Sequence, residues 1–255
     1  MLRGLDAADW GRPTACALWS VKDIAAHLLD TSLRRLSFGR DRLDPSADRE
    51  ISNYAELVSY LNHLNSEWIV AARRLSPRLL IELLDYIGPE VHRLFDSVDP
   101  HAPALFSVAW AGETSSPNWF DIAREYTEQW LHQQQIREAV RAPDLTDREW
   151  LGPALDVFVR ALPFTYRQVQ GEEGSSVEVR IGGDAGGVWT LIRGTRGWEL
   201  FTGSSKQPAA RVSLDQDAAW RLFSKNLPQE ARERIRIDGK RSLGQPLLGS
   251  VAVMA

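Results

Sequence analysis

Cysteine is almost missing: Cys16 is the single thiol in a chain of 255 residues. One thiol excludes an internal disulfide and any cysteine-based zinc cluster within the chain, and it makes the cytoplasm the simplest expected compartment. Lysine is scarce as well, with Lys22, Lys206, Lys225 and Lys240 scattered among arginines, and the net charge is -4. Phosphate binding draws on clustered basic side chains, so nucleic acid is not an expected partner. The opening MLRGLDAADWGRP has no apolar export core, and no window approaches the roughly 20 uninterrupted apolar residues of a membrane span. A membrane is therefore not an expected partner either.

What is present is a balanced composition, 44% hydrophobic and 25% charged, which suits a soluble globular protein with a sizeable core. At this length a single core stops growing, so two domains are expected, at residues 1–143 and 144–255. The first half has helical periodicity. From the cap signal Ser20–Asp23, apolar residues Val21, Ile24, Ala25, Leu28 and Leu36 predict a helix to about Phe38. Tyr54, Leu57, Leu61, Leu64 and Trp68 predict a second, ending near Leu75. The run from Leu79 predicts two short helices broken at Gly88–Pro89, where a missing N–H and a ring clash oppose continuation. Trp119 to Val140 is apolar on two faces, the pattern of a helix held between two layers.

After RAPDLTD the period changes. An apolar helix near Pro153 to Leu162 precedes SVEVRI, VWTLIR and GWELFT, which alternate as strands and predict an antiparallel meander. ARVSLD reads as a fourth strand, Asp215 as the cap of a helix over DQDAAWRLFSK, IRID as a fifth strand and SLGQPLLGSVAVMA as a closing helix. The fold class is two-domain α+β, a helical bundle followed by a domain with an antiparallel sheet. The glycines of GGDAGG match no nucleotide-binding spacing and read as a hairpin turn. The ten tryptophans, among them Trp10, Trp19, Trp110, Trp119 and Trp130, read mainly as core filler.

One stretch, EQWLHQQQIREA, places Glu128 and His132 four residues apart, so both side chains rise from one helix face. From spacing alone an ordinary solvated polar contact is the better reading. His27 lies on the flank of the first helix's apolar stripe, and a bundle is able to bring it to the pair. Three protein ligands leave one coordination position open. His63 and His92 share polar helix faces and His101 sits in a proline-rich loop, so these read as solvated.

The runs LWSVKDIAAHLL, VAWAGE and REYTEQWLHQQQIREA, together with the long helices, resemble the DinB-like metal-binding four-helix superfamily, and most closely its mycothiol-dependent maleylpyruvate isomerase branch. That resemblance implies a divalent metal held by His27, Glu128 and His132, typically zinc. Nickel, iron, cobalt and manganese also accept such a donor set. It further implies a sterol-carrier-protein-like α+β second domain. The family pattern carries a helix ahead of its D-W-x-x-P-T segment, whereas Asp9–Trp10 stands only a few residues after Met1, which implies a bundle short of one wall or a misassigned start.

Its substrate arginine has no clear counterpart. Arg180, Arg193 and Arg221 are candidates, although arginines on a small sheet usually just solvate it, and that is the better reading of each. Arg124, one turn before Glu128, either orients that carboxylate, steers an anionic substrate or forms a surface ion pair. Gln133, Gln134 and Gln135 follow the ligand histidine, and spacing does not choose among them.

The resemblance implies an isomerase or S-transferase that uses mycothiol or another small thiol against a small electrophile. Addition of a thiolate to an activated double bond gives isomerisation if the sulfur leaves and transfer if it stays. Cys16 would then be incidental, and Glu128, as a ligand, would not be the general base. A metal-activated water would instead support hydrolysis. A non-catalytic metal-dependent binding module and a purely structural bundle are the readings from other classes.

Overall fold

The computed structural model describes residues 1–45 and 49–253. The Ser20 hydroxyl accepts from the Asp23 N–H, and the Asp23 carboxylate accepts from the Ser20 N–H in return. This reciprocal pair satisfies two donors that a helix start leaves open, and α1 follows over Val21–Gly39. α1 is buried on more than its apolar stripe, because α2 (Tyr54–Ala72), α3 (Pro77–Ser97) and α4 (Asn118–Val140) all pack on it. Asn53 caps α2, and Trp68 ties that helix to α1 by donating its indole N–H to the Ala26 carbonyl at 2.7 Å. Short 3-10 turns at Leu2–Gly4 and Asp9–Gly11 lay Leu2, Leu5 and Trp10 against this core.

The predicted break in α3 does not occur: Pro89 lies inside one continuous helix. Proline removes one helical bond and frees the carbonyl four residues back. That residue is Asp85, which is exposed, so its carbonyl is not stranded in the core. Leu80 and Ile87 are buried before the proline, while Val91 and Leu94 pack into the same core after it. Burial on both sides outweighs one lost bond.

α4 has the expected middle position, with α1 on one side and α5 (Arg148–Phe158) on the other. α5 starts five residues earlier than Pro153, because the Asp147 side chain caps it by accepting from the Trp150 N–H. A 3-10 turn then leads to α6 (Leu162–Thr165).

The strands are β1 (Ser176–Gly182), β2 (Gly187–Arg193), β3 (Trp198–Thr202), β4 (Ala210–Asp215) and β5 (Arg236–Gly239). Among the described residues they form one sheet in the order β3-β2-β1-β4-β5. The meander β1-β2-β3 is antiparallel as predicted, and Gly182–Gly187 makes its first turn, with Gly183 at φ +112°. The expectation of an antiparallel sheet needs one correction: β4 pairs parallel to β1. The cause is the return of residues 203–209 across the sheet. Thr190 Oγ1 donates to Gly203 O, Ser205 N donates to Glu178 Oε2, and Ala209 N donates to Ser176 O, so the chain re-enters at the start of β1.

Asp215 caps α7 (Gln216–Phe223), and α8 (Gln229–Glu233) precedes β5. The closing helix is shorter than predicted. α9 (Arg241–Gly244) passes into a 3-10 turn at Gln245–Gly249 and then extended chain, Pro246 lacking the N–H a longer helix needs. Residues 254 and 255 of that prediction lie outside the described residues.

Two cores result. One joins α1, α2 and α3 with Ile136 of α4. The other fills the space under the sheet and also takes in Trp110, Phe120 and Trp130 from the first half. Trp130 packs edge-on against Phe158 and Trp220, with ring centroids 6.4 and 5.6 Å away. α4 therefore belongs to both cores and fixes one against the other. Among the described residues, no helix is long and apolar enough to cross a membrane.

Gly112 marks a second junction. Its φ is +80°, and a Cβ there would lie 2.3 Å from the Phe164 ring. Gly112→Ala is expected to cost about 2 kcal/mol from left-handed backbone and overpacking together. Chemical denaturation checks this, and an unchanged midpoint would refute it.

Candidate metal centre

His27 reaches the centre from α1, Glu128 and His132 from α4. The two helices run antiparallel here: His27 meets Glu128, while Arg35, two turns on, meets Asp121 and Glu125. His27 Nε2 lies 3.0 Å from Glu128 Oε1, and His132 Nε2 lies 3.1 Å from the same oxygen. The three ligand-type atoms all fall within 4.8 Å of one another. For comparison, tetrahedral ligands about 2.0–2.1 Å from a zinc ion stand roughly 3.3 Å apart. The side chains of His27 and His132 are 5% and 6% exposed and that of Glu128 is 28%, so the cluster opens on its carboxylate side.

The surroundings fit a cation. Two imidazoles and a carboxylate form a common donor set for divalent transition metals. Among the described residues, His27 Nδ1, the ring nitrogen turned away from Glu128, is buried without a hydrogen-bond partner. Burial would raise the Glu128 carboxyl, but the charge and hydrogen bond of His132, with those of His27, hold it well below the usual range. Burial also opposes a charged His132, yet the Glu128 charge and the bonds to Glu128 and Gln135 raise it above its ordinary value. For His27, burial prevails and the pKa is lowered.

The wall missed by sequence reasoning is Trp19. Its ring centroid lies 4.8 Å from that of His27 and 6.1 Å from that of His132, and the two imidazoles are 4.9 Å apart. The loop carrying it is closed locally: Thr14 Oγ1 donates to Trp19 O, Trp19 N donates to Cys16 O, and Cys16 N donates to Thr14 Oγ1. Cys16 is half-buried in this loop, and its thiol is pushed up to about 11 by burial and then by the Glu128 charge. The available signal was position, since Trp19 immediately precedes the Ser20 cap of the helix that carries His27.

The other candidates lie elsewhere. Arg124 donates to Asp121 and Glu125 rather than to Glu128, because the buried Arg35 gathers those two carboxylates beside it. Arg193 ends β2 opposite Trp198 and donates to the Gly194 carbonyl, within the second half. Arg180 pairs with Glu178, and Arg221 with Glu138 and Asp217. Of the three glutamines, Gln134 accepts from the Leu145 N–H and Gln135 Oε1 meets His132 Nδ1 at 2.8 Å. His63, His92 and His101 are exposed. A cavity of about 450 Å³, lined in part by Arg35, Phe38, Phe95 and Ile122, lies further along the same α1–α4 seam.

A bundle that encloses two imidazoles and a carboxylate between its first and last helices, followed by an α+β half, defines a class of two-part proteins with a candidate metal centre. The chain belongs to the family of the mycothiol maleylpyruvate isomerase N-terminal domain, whose sequence profile matches residues 1–137. Among solved structures, a mutant of a mycothiol-dependent maleylpyruvate isomerase superimposes with a TM-score of 0.55 at 11% identity, covering 93% of this chain and 85% of that one. This likeness shows a shared fold across both halves. A second structure of mycothiol-dependent maleylpyruvate isomerase matches with a TM-score of 0.49 at 12% identity, over 87% of this chain and 80% of that one. Comparison with curated proteins gives no match.

Proposed function

We propose that the chain binds one divalent metal ion through His27, Glu128 and His132 and acts with a low-molecular-weight thiol on a small electrophilic substrate, as an isomerase or S-transferase. The observation that carries this reading is the convergence of three donor atoms from α1 and α4 within 4.8 Å, open on one side. Family membership supports mycothiol as the thiol, by analogy with the relatives' printed names. In this reading residues 1–143 form the metal-binding domain and residues 144–255 the second domain. Zinc suits the donor set, and nickel, iron, cobalt or manganese would also be accepted.

A bound divalent ion supplies the positive charge that lets a thiol ionise at neutral pH. The residues of the chain do the rest. Trp19 covers both rings and keeps water from one side of the centre. Glu128 serves as a ligand, so its carboxylate is not the base. Cys16 stays protonated near neutral pH, and a protonated thiol is a poor nucleophile. The reactive sulfur therefore comes from outside the chain.

The test pairs metal analysis with turnover. Protein purified without an affinity tag should carry roughly one equivalent of a transition metal, the stoichiometry of a three-ligand site. It should consume electron-poor double bonds only when a small thiol is present. Metal far below one equivalent removes the metal reading. Metal without thiol-dependent turnover removes the enzyme and leaves a binding module.

A further inference from the structure

We propose that Gln135 is a positioning residue of this centre: its side-chain carbonyl locks the His132 ring in the form that presents Nε2 to the metal. The inference rests on the metal reading above. His132 and Gln135 are 4% and 3% exposed, and they stand three apart on α4, so the contact forms within one helical turn. Gln135 Oε1 lies 2.8 Å from His132 Nδ1, while His132 Nε2 faces Glu128 at 3.1 Å. A carbonyl oxygen only accepts, so Nδ1 carries the hydrogen, and in a neutral ring Nε2 is then the nitrogen with a free lone pair.

The two histidines are held differently. His27 Nδ1 has no partner among the described residues, and its ring rests against Trp19. Packing fixes the plane of a ring but does not choose which nitrogen is protonated. Gln135 makes that choice for His132, and it does so without adding charge. Glu128 is then the only carboxylate in the cluster, so a divalent ion there keeps a net positive charge for an anionic sulfur. Outer partners of ligand histidines that orient the ring typically contribute about 10–100-fold in metal affinity.

The neighbouring Gln134 supplies the control. It is 2% exposed and accepts from the Leu145 N–H at 2.9 Å, a purely structural contact. Metal affinity of the full chain is measured by competition with a chromogenic chelator for the native protein, Gln135→Met, Gln135→Glu and Gln134→Met. Gln135→Met is expected to weaken binding by about 10–100-fold, and Gln135→Glu, which keeps an acceptor, to stay within about threefold of native. Gln134→Met should lower stability and leave affinity unchanged.

Nitrogen-15 NMR of the metal-loaded native chain should show the His132 proton on Nδ1. Native affinity in Gln135→Met, or a proton on Nε2, overturns the proposal, and Gln135→Ala repeats the affinity comparison if Gln135→Met does not fold. Metal bound normally by Gln135→Met defeats the positioning role alone. A native chain that takes up no metal defeats the metal reading and this role with it.

Discussion

Arg35→Met is expected to destabilise the chain by about 3–5 kcal/mol, the cost of removing one partner from a buried ion pair. At this chain length that lowers the thermal midpoint by roughly 6–20 °C. The Arg35 side chain is 7% exposed, and it donates from Nη1 to Asp121 and from Nη2 to Glu125, each at 2.7 Å. Its guanidinium lies 5.7 and 5.4 Å from the ring centres of Phe95 and Phe106. Burial opposes the charge, yet Glu125 and Asp121 more than restore it. Methionine keeps the bulk but leaves two carboxylates at the α1–α4 seam with Arg124 as their remaining cation. Differential scanning calorimetry measures the loss. A second variant, Arg35→Met with Asp121→Leu, should recover part of it, since the penalty comes from the stranded charge. A loss below about 1 kcal/mol in the single variant would mean that water reaches these carboxylates and the pair is worth no more than a surface one.

The same seam shows which features the sequence makes legible. The Ser20–Asp23 box, the Asp215 cap and the strand alternation depend on residues within a few positions, and each lies where local pattern puts it. Pro89 was misread because its local cost is visible in the sequence, whereas the burial of Ile87 and Leu94 on either side is a property of packing. The parallel pairing of β4 with β1 depends on a strap held by Glu178, a buried carboxylate that no alternation pattern marks. Arg35 was silent for a related reason. Arginine reads as surface unless its partners are known, and those partners lie 86 and 90 residues away.

The triad divides in the same way. Glu128 and His132 are a spacing on one helix, and His27 is 101 residues from Glu128. Resemblance joined the three in advance, and only the crossing of α1 and α4 places their atoms together. Gln135 was within reach of a local argument, being three residues after a candidate ligand on the same face. Nothing local separated it from Gln134, which turns to the Leu145 backbone instead.

A hydrogen-bonded cluster and a metal centre make opposite demands on Glu128, and Glu128→Gln separates them. In a purely structural cluster the carboxylate holds His132, and the amide variant loses that stabilisation whether or not metal is added. In a metal centre most of the loss appears only with metal present. Native chain with zinc at about 1,000 times its dissociation constant should gain about 4 kcal/mol over chelator-treated chain. At this size that is roughly 8–16 °C in the thermal midpoint. Glu128→Gln and His132→Ala should each bind metal more than about 100-fold more weakly, exceeding what loss of an outer partner costs. Their midpoints should therefore barely respond to zinc, and His132→Ala should lose thiol-dependent turnover. Equal zinc shifts in native and both variants would place the ion at some other site and reduce His27, Glu128 and His132 to a buried polar contact between two helices.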